Sequence, residues 1–284
     1  MTPLRPWAKS LLLRVGRAII MPGSFPKAVV LCYHFVHPQR SGAPTTPALT
    51  PELFARHLSW LNEHCDIIPF RHVLEATQKK TNRPLVSITF DDGYADNYEY
   101  AFPLLRRYGV HGTFFLTAGF LEKDSTVIER LRTVWRPWQL PHQIRPLEWS
   151  CVREMRHAGM DFGAHTYSHF NLAELRADTA YADLRRARDV LEERLAERII
   201  LMAYPFGKPR RHFTYQTVNL VAKVGYEYAA AIICRRVQAL DSPFVIPRFY
   251  VMQDSLNTLK DKTFGAWDLL GYLQERLPGA LIRE

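Results

Sequence analysis

Short apolar runs separated by longer segments of helical periodicity constrain this chain most. Candidate strands fall at 28–34, 66–68, 85–90, 112–117, 161–165, 199–204, 228–233 and 244–249. Such alternation is the pattern of a parallel sheet covered by helices, the α/β class. Between the strands, Phe54, Leu58 and Leu61 repeat at helical spacing behind Thr50-Pro51, a helix start. Asn97 to Tyr108 reads as a helix closed by Gly109, and further helices are expected over 147–157, 179–197, 213–224 and from Thr258 to Leu277. Residues 120–146 carry Trp135, Trp138 and prolines at 137, 141 and 146 where one crossover helix is expected, so this segment reads as an insertion over one rim. Exposed tryptophans there would stack on sugar faces, whereas buried ones would simply pack.

The 284 residues suit one α/β barrel unit, since no low-complexity linker divides them. The expected organisation is a basic arm over 1–27 and a single barrel domain over 28–284. The net charge of +9 is uneven: the first acidic residue is Glu52, and Arg5, Lys9, Arg14, Arg17, Lys27 and Arg40 precede it. Trp7, Leu11, Val15, Ala18 and Ile19 share one helical face, which suits either a membrane surface, through residues 1–24, or packing against the barrel. Arg14 and Arg17 interrupt the apolar stretch too early for a spanning helix or a cleavable signal peptide. A cytoplasmic or membrane-associated protein is therefore expected, with the periplasm left open. Beyond the arm the charges are mixed and no nucleic-acid recognition motif occurs. Cys32, Cys65, Cys151 and Cys234 include no Cys-x-x-Cys pair, so buried free thiols are the simplest reading.

The strand at 85–90 ends in Asp91-Asp92-Gly93. Adjacent carboxylates repel, and they are tolerated where their roles separate: Asp92 gives electron pairs to a cation while Asp91 stays free to move protons. Phe162-Gly-Ala-His165-Thr-Tyr-Ser-His169 offers two imidazoles, completing a two-histidine, one-carboxylate metal set. Alone, Asp-Asp-Gly is a common turn and His-x-x-x-His a weak signal. The argument strengthens at the strand ends, where barrel chemistry gathers: His34, Asp91, Asp92, His165, the Pro205–Gly207 turn and Arg248 all sit there and can share one mouth.

These motifs resemble those of the NodB-type polysaccharide deacetylases, carbohydrate esterase family 4. Thr89-Phe-Asp-Asp-Gly93 matches the family's first motif and His165-Thr-Tyr-Ser-His169 its second. The likeness runs from about residue 28 to 250. It implies a distorted (β/α) barrel of about seven strands, a divalent metal on Asp92, His165 and His169, usually Zn2+ with Co2+ or Ni2+ as alternatives, and Asp91 as catalytic base. The third motif departs from the pattern. Ala203-Tyr-Pro-Phe-Gly207 lacks the family's leading arginine, and Arg248 offers a substitute guanidinium or a rim salt bridge. No histidine occurs in 250–284, where the family places its last one; Val29-Val-Leu-Cys-Tyr-His34 supplies that strand at the beginning instead. This resembles the circularly permuted branch that includes poly-N-acetylglucosamine deacetylases, and it implies His34 as general acid. His37 is expected to cap a loop.

In amide hydrolysis each part has a task. The Phe206 backbone N–H would meet the developing oxyanion in the Pro205-Phe206-Gly207 turn. His34 would protonate the leaving amine, and Tyr94 and Tyr204 would bind sugar or pack. The expected function is removal of N-acetyl groups from amino sugars of a bacterial exopolysaccharide, lipopolysaccharide or lipid-linked precursor. A deformylase, another amide or O-acetyl hydrolase, and a non-catalytic carbohydrate-binding subunit stay open as alternatives. The sequence sets neither the sugar nor the oligomeric state.

Overall fold

The computed structural model describes residues 12–16, 28–38, 48–138 and 144–276. Its eight strands are β1 (Ala28–Tyr33), β2 (Asp66–Ile67), β3 (Leu85–Phe90), β4 (Thr113–Leu116), β5 (Asp161–Ala164), β6 (Leu201–Ala203), β7 (Tyr228–Ile232) and β8 (Ile246–Tyr250). Each lies within about two residues of the stretch expected from the sequence, because strand ends fray in any assignment. All pairings between these strands are parallel. β1 pairs with β3 along its whole length, from Ala28↔Leu85 to Tyr33↔Phe90, and with β8 through Leu31↔Phe249 and Cys32↔Tyr250. The order β1-β8-β7-β6-β5-β4-β3 thus closes into a seven-stranded barrel, with β2 added outside the ring on β3.

Alternation along the strands divides the core. Val29, Leu31 and Tyr33 of β1 belong to the large cluster that includes the helices, whereas Ala28 and Val30 join Phe115, Leu201, Ala203, Ala230 and Ile246 in a smaller one inside the barrel. Phe70 and Val73 belong to this inner cluster too. The inward positions that follow, Cys32 on β1 and Thr89 and Asp91 at the end of β3, are therefore held above an apolar plug.

The helix Pro51–His64 begins as expected: Thr50 Oγ1 accepts from the Leu53 N–H at 3.2 Å, and Pro51 occupies a position where no N–H is needed. The stretch from Asn97 differs from a plain α-helix. Asn97–Ala101 is a π-turn running into the α-helix Phe102–Tyr108. Pro103 has no N–H to give the carbonyl one turn back, and the backbone widens to accommodate it. Gly109, at φ 63°, ends that helix in the left-handed conformation.

Between β4 and β5 the chain forms helices at Ala118–Leu121, Ser125–Trp135 and Trp149–His157. Residues 139–143 and the Trp138 side chain lie outside the described residues. The single C-terminal helix expected over 258–277 is two, Leu256–Phe264 and Asp268–Arg276, because Gly265 takes φ 88°, a left-handed conformation that ends the first, with the Arg236 guanidinium packed against it. Of the basic arm only 12–16 is described; the rest of 1–27, including most of the proposed amphipathic face, lies outside. Leu12 and Leu13 are partly buried against the core, and Gly16 approaches Ala266 so closely that a Cβ would stand 2.1 Å from its carbonyl oxygen. No described helix is long and apolar enough to cross a membrane.

Candidate active site

The carboxyl end of the barrel gathers the groups singled out in the sequence. Asp91 and Asp92 leave β3, His165 leaves β5, His34 follows β1, and Arg248 projects from β8. Asp91, Asp92, His165 and Arg248 are all buried. With Trp135, Tyr250 and Phe206 as walls, His34, Asp91, Asp92 and His165 bound a cavity of about 540 Å³, and Arg248 lies behind Asp91.

Two sets of contacts share this floor. In the first, Arg248 donates from Nη1 to Asp91 Oδ1 and from Nη2 to Asp91 Oδ2, each at 2.7 Å. Nη1 also donates to Thr89 Oγ1 at 3.1 Å, and that hydroxyl in turn donates to the Leu31 carbonyl at 2.9 Å. Arg248 is wholly buried, so this is no rim salt bridge. Burial acts to raise the Asp91 carboxyl, but the Arg248 guanidinium, with His165 and His34 beside it, holds the group below its ordinary value. Cys32 donates its thiol hydrogen to Asp91 Oδ2 at 3.3 Å, and burial pushes that thiol far up, so it stays a neutral donor. His34 Nδ1 lies 3.9 Å from the same sulfur. Burial lowers the His34 imidazole, with Asp92 and Asp91 pulling the other way.

In the second set, His165 Nε2 and His169 Nε2 converge on Asp92 Oδ1 at 3.3 and 3.1 Å. Asp92 Oδ1 is buried and makes no well-formed hydrogen bond. His165 Nδ1 stands 2.8 Å from the Ala203 carbonyl, which fixes the proton on Nδ1 and leaves the Nε2 lone pair facing Asp92. Burial brings His165 down to about 4, so the ring is neutral at neutral pH. Burial acts to raise Asp92, yet His169 and its neighbours hold the carboxyl well below the ordinary range. The three ligand atoms lie within 4.8 Å of one another. A buried oxygen with an unused lone pair, facing the Nε2 atoms of two imidazoles, is a donor set that fits a divalent cation.

The backbone is unusual at the same points. Asp92, Thr166, His169 and Phe206 all take positive φ, at 74°, 64°, 55° and 59°. Left-handed geometry is unfavourable for such residues and persists only where surrounding contacts enforce it. Gly207 has φ 65°, and a Cβ there would stand 2.8 Å from the Ile232 nitrogen, so the Tyr-Pro-Phe-Gly turn presses directly on β7.

Some expectations are corrected by placement. Tyr94 does not reach the mouth: it is fully buried, stacks on Phe35 at 4.1 Å and accepts from Trp135 Nε1 at 2.6 Å. It does not line the cavity, and burial pushes its hydroxyl far up. Tyr204 borders the cavity, but its hydroxyl donates to the Phe244 carbonyl and its ring stacks on Phe213 at 3.8 Å. Pro205 is buried within the turn, while Phe206 is 39% exposed with its ring 5.0 Å from that of His169. Trp135 both packs and lines: it is buried, yet its ring edge meets His34 at 5.6 Å in the cavity wall. His37 Nδ1 stands 3.0 Å from the Pro38 carbonyl, closing its own loop. Cys32 was legible but passed over, since it lies two residues before His34 on one strand and so shares its face. Lys208, His212, Tyr250 and Met252 also line the cavity without a motif to mark them.

A family model described as Polysaccharide deacetylase matches residues 78–229, more than half of the chain. The chain belongs to the polysaccharide deacetylase family. Among curated members, it is 22% identical over 217 residues to the poly-beta-1,6-N-acetyl-D-glucosamine N-deacetylase of Staphylococcus aureus (strain MRSA252), covering 72% of this chain and 68% of that one. It is 24% identical over 204 residues to YxkH of Bacillus subtilis (strain 168), where it spans 71% of its own length and only 63% of the relative's. Among solved structures, the Streptococcus pyogenes deacetylase PplD in complex with acetate superposes with TM-score 0.71 at 22% identity, over 84% of this chain and 98% of that one. IcaB from Ammonifex degensii gives TM-score 0.65 at 22% identity, over 86% and 98%. These likenesses establish the barrel of this polysaccharide deacetylase family member.

Proposed function

We propose that this member of the polysaccharide deacetylase family is a metal-dependent hydrolase that removes N-acetyl groups from amino sugars of a bacterial exopolysaccharide. The observation that carries the reading is the pairing of two sets on one floor: a buried carboxylate gripped by Arg248, and a second carboxylate faced by two imidazoles. The name of the Staphylococcus aureus relative supports a poly-N-acetylglucosamine substrate.

Asp92, His165 and His169 would hold a divalent cation, with zinc the best match to two nitrogens and one oxygen. Such a cation supplies Lewis acidity to the acetyl carbonyl when bound. Asp91 removes the proton from the attacking water as its oxygen bonds to the carbonyl carbon. Arg248 fixes that carboxylate so that it loses no motion at the moment of transfer. The Phe206 N–H, which has no backbone acceptor among the described residues, faces the developing oxyanion. His34 delivers a proton to the nitrogen as the C–N bond breaks, releasing acetate and a free amine. Since burial lowers His34, its proton must arrive during the reaction, and Asp91 lies across the Cys32 sulfur from it.

The test is amine release from N-acetylglucosamine oligomers by zinc-loaded protein. Asp91→Asn should lower the rate by about 10²–10⁴-fold. Equal rates in parent and variant overturn the assignment of Asp91, and no release by either overturns the substrate.

A further inference from the structure

The loop that carries both candidate histidines runs through two strained residues, Thr166 and His169, and contains no glycine between His165 and His169 to relax it. Something outside must hold it. Thr166 Oγ1 accepts from the His169 N–H at 3.0 Å, a contact internal to the loop. The external contacts come from three helices: at the start of Ala118–Leu121, the Ala118 and Gly119 N–H groups donate to the Thr166 and Tyr167 carbonyls at 3.1 and 2.9 Å. From Ala177–Leu195, Asp183 accepts the Tyr167 N–H on Oδ2 at 3.1 Å and the Ser168 hydroxyl on Oδ1. From Ser125–Trp135, Arg130 donates to the Ser168 carbonyl and lays its guanidinium 3.5 Å from the Phe170 ring centre. The loop is thus gripped on its carbonyl side by a helix N-terminus and a guanidinium, and on its N–H side by the Asp183 carboxylate.

We propose that Asp183 is a positioning residue that sets the imidazoles of His165 and His169 for cation binding. It touches neither histidine and does not reach the cavity; it acts through the two residues between them. A carboxylate accepting a backbone N–H and a hydroxyl forms two charge-assisted bonds at a fixed spacing. Those bonds define the turn at Tyr167 and Ser168, and the turn fixes His169 in its left-handed conformation. If the turn relaxes, the His169 backbone returns towards ordinary φ and its Nε2 leaves the Asp92 oxygen. The inference rests on the cation reading proposed above and adds a residue outside every motif that suggested it.

The experiment measures zinc binding to metal-free protein by competition with a chromophoric chelator, alongside amide hydrogen exchange over 165–170. Asp183→Asn keeps the shape and one acceptor but loses the charge and the second acceptor. It should weaken zinc by about 10–100-fold, the usual effect of losing a group that orients metal ligands. It should also speed exchange at Tyr167 and His169. Asp189→Asn, an exposed carboxylate on the same helix, should leave both readouts at the parent level. Ser168→Ala, which removes one of the two bonds, should give a smaller loss and serves if Asp183→Asn does not fold. Zinc affinity and exchange equal to the parent in these variants overturn the inference. A parent that binds no zinc overturns the cation reading instead, and the exchange rates alone then decide whether Asp183 holds the loop.

Discussion

Arg248 and Asp91 meet as a planar fork, two nitrogens on two oxygens at 2.7 Å each, from strands that lie far apart in sequence and on either side of β1. Lysine cannot reproduce this geometry, because its ammonium is a point charge. Arg248→Met should destabilise the protein by about 3–5 kcal/mol, the cost of leaving a buried charge unpaired. The double variant Asp91→Asn/Arg248→Met should recover most of that loss. Urea unfolding of Arg248→Met, Asp91→Asn and the double variant checks both statements, and additive losses would contradict them.

Removing the cation should abolish activity without unfolding the barrel. Prolonged dialysis against a chelator is expected to stop acetate release, and zinc or cobalt to restore it. His165→Gln should resist restoration, since it removes the ring whose Nδ1 is oriented by the Ala203 carbonyl and whose Nε2 faces Asp92. Full activity after metal removal, verified by elemental analysis, would refute this.

His57 provides a pH signature away from the cavity floor. It is buried with Nε2 2.9 Å from the Asp254 carbonyl and Nδ1 3.3 Å from the Tyr33 hydroxyl, and burial lowers it to about 4. The folded state therefore takes its proton later than the unfolded chain does. The stability due to the neutral ring is complete above about 6.5 and is lost as pH falls from there to about 4. That interval corresponds to about 3 kcal/mol. Replacing it by His57→Gln should lower stability at pH 7 and flatten the dependence between these limits. Parallel parent and variant curves of unfolding free energy against pH would disprove the assignment.

Gly163 tests how strictly β5 is placed. A Cβ there would lie 2.8 Å from the Leu201 carbonyl oxygen and 2.8 Å from the Phe115 ring. Gly163→Ala should cost about 1–3 kcal/mol through overpacking. Because His165 leaves the same strand, zinc affinity should fall as well. A melting temperature unchanged by the substitution would show that the strands part easily.

Much of this arrangement was legible in the chain. All eight strands announce themselves as apolar runs, since a strand buried on both faces has little use for polar residues. Asp91, Asp92, His165 and His169 stand at strand ends, and barrel topology brings such ends together. What escaped depends on contacts between distant segments. Tyr94 follows the Asp-Asp-Gly turn and reads as a mouth residue, yet Phe35 and Trp135 cover it. Arg248 as rim or centre could not be settled without knowing that β8 borders β1. Asp183 carries no periodic or motif signal, because its partners are backbone and hydroxyl groups. The chain turns left-handed at Gly265 with Arg236 packed against it, and helical periodicity continues across the break undisturbed.

The ring is completed by β1 lying between β3 and β8, so the earliest strand touches the last. A polypeptide emerging from the ribosome cannot finish its cylinder until residue 250 is free. Until then His34, Asp91 and the imidazoles of His165 and His169 already exist, but the guanidinium that restrains Asp91 does not. The nascent chain therefore exposes an unneutralised carboxylate and two open strand edges for most of its synthesis, and slow, late closure is the expected folding behaviour of such distant pairings.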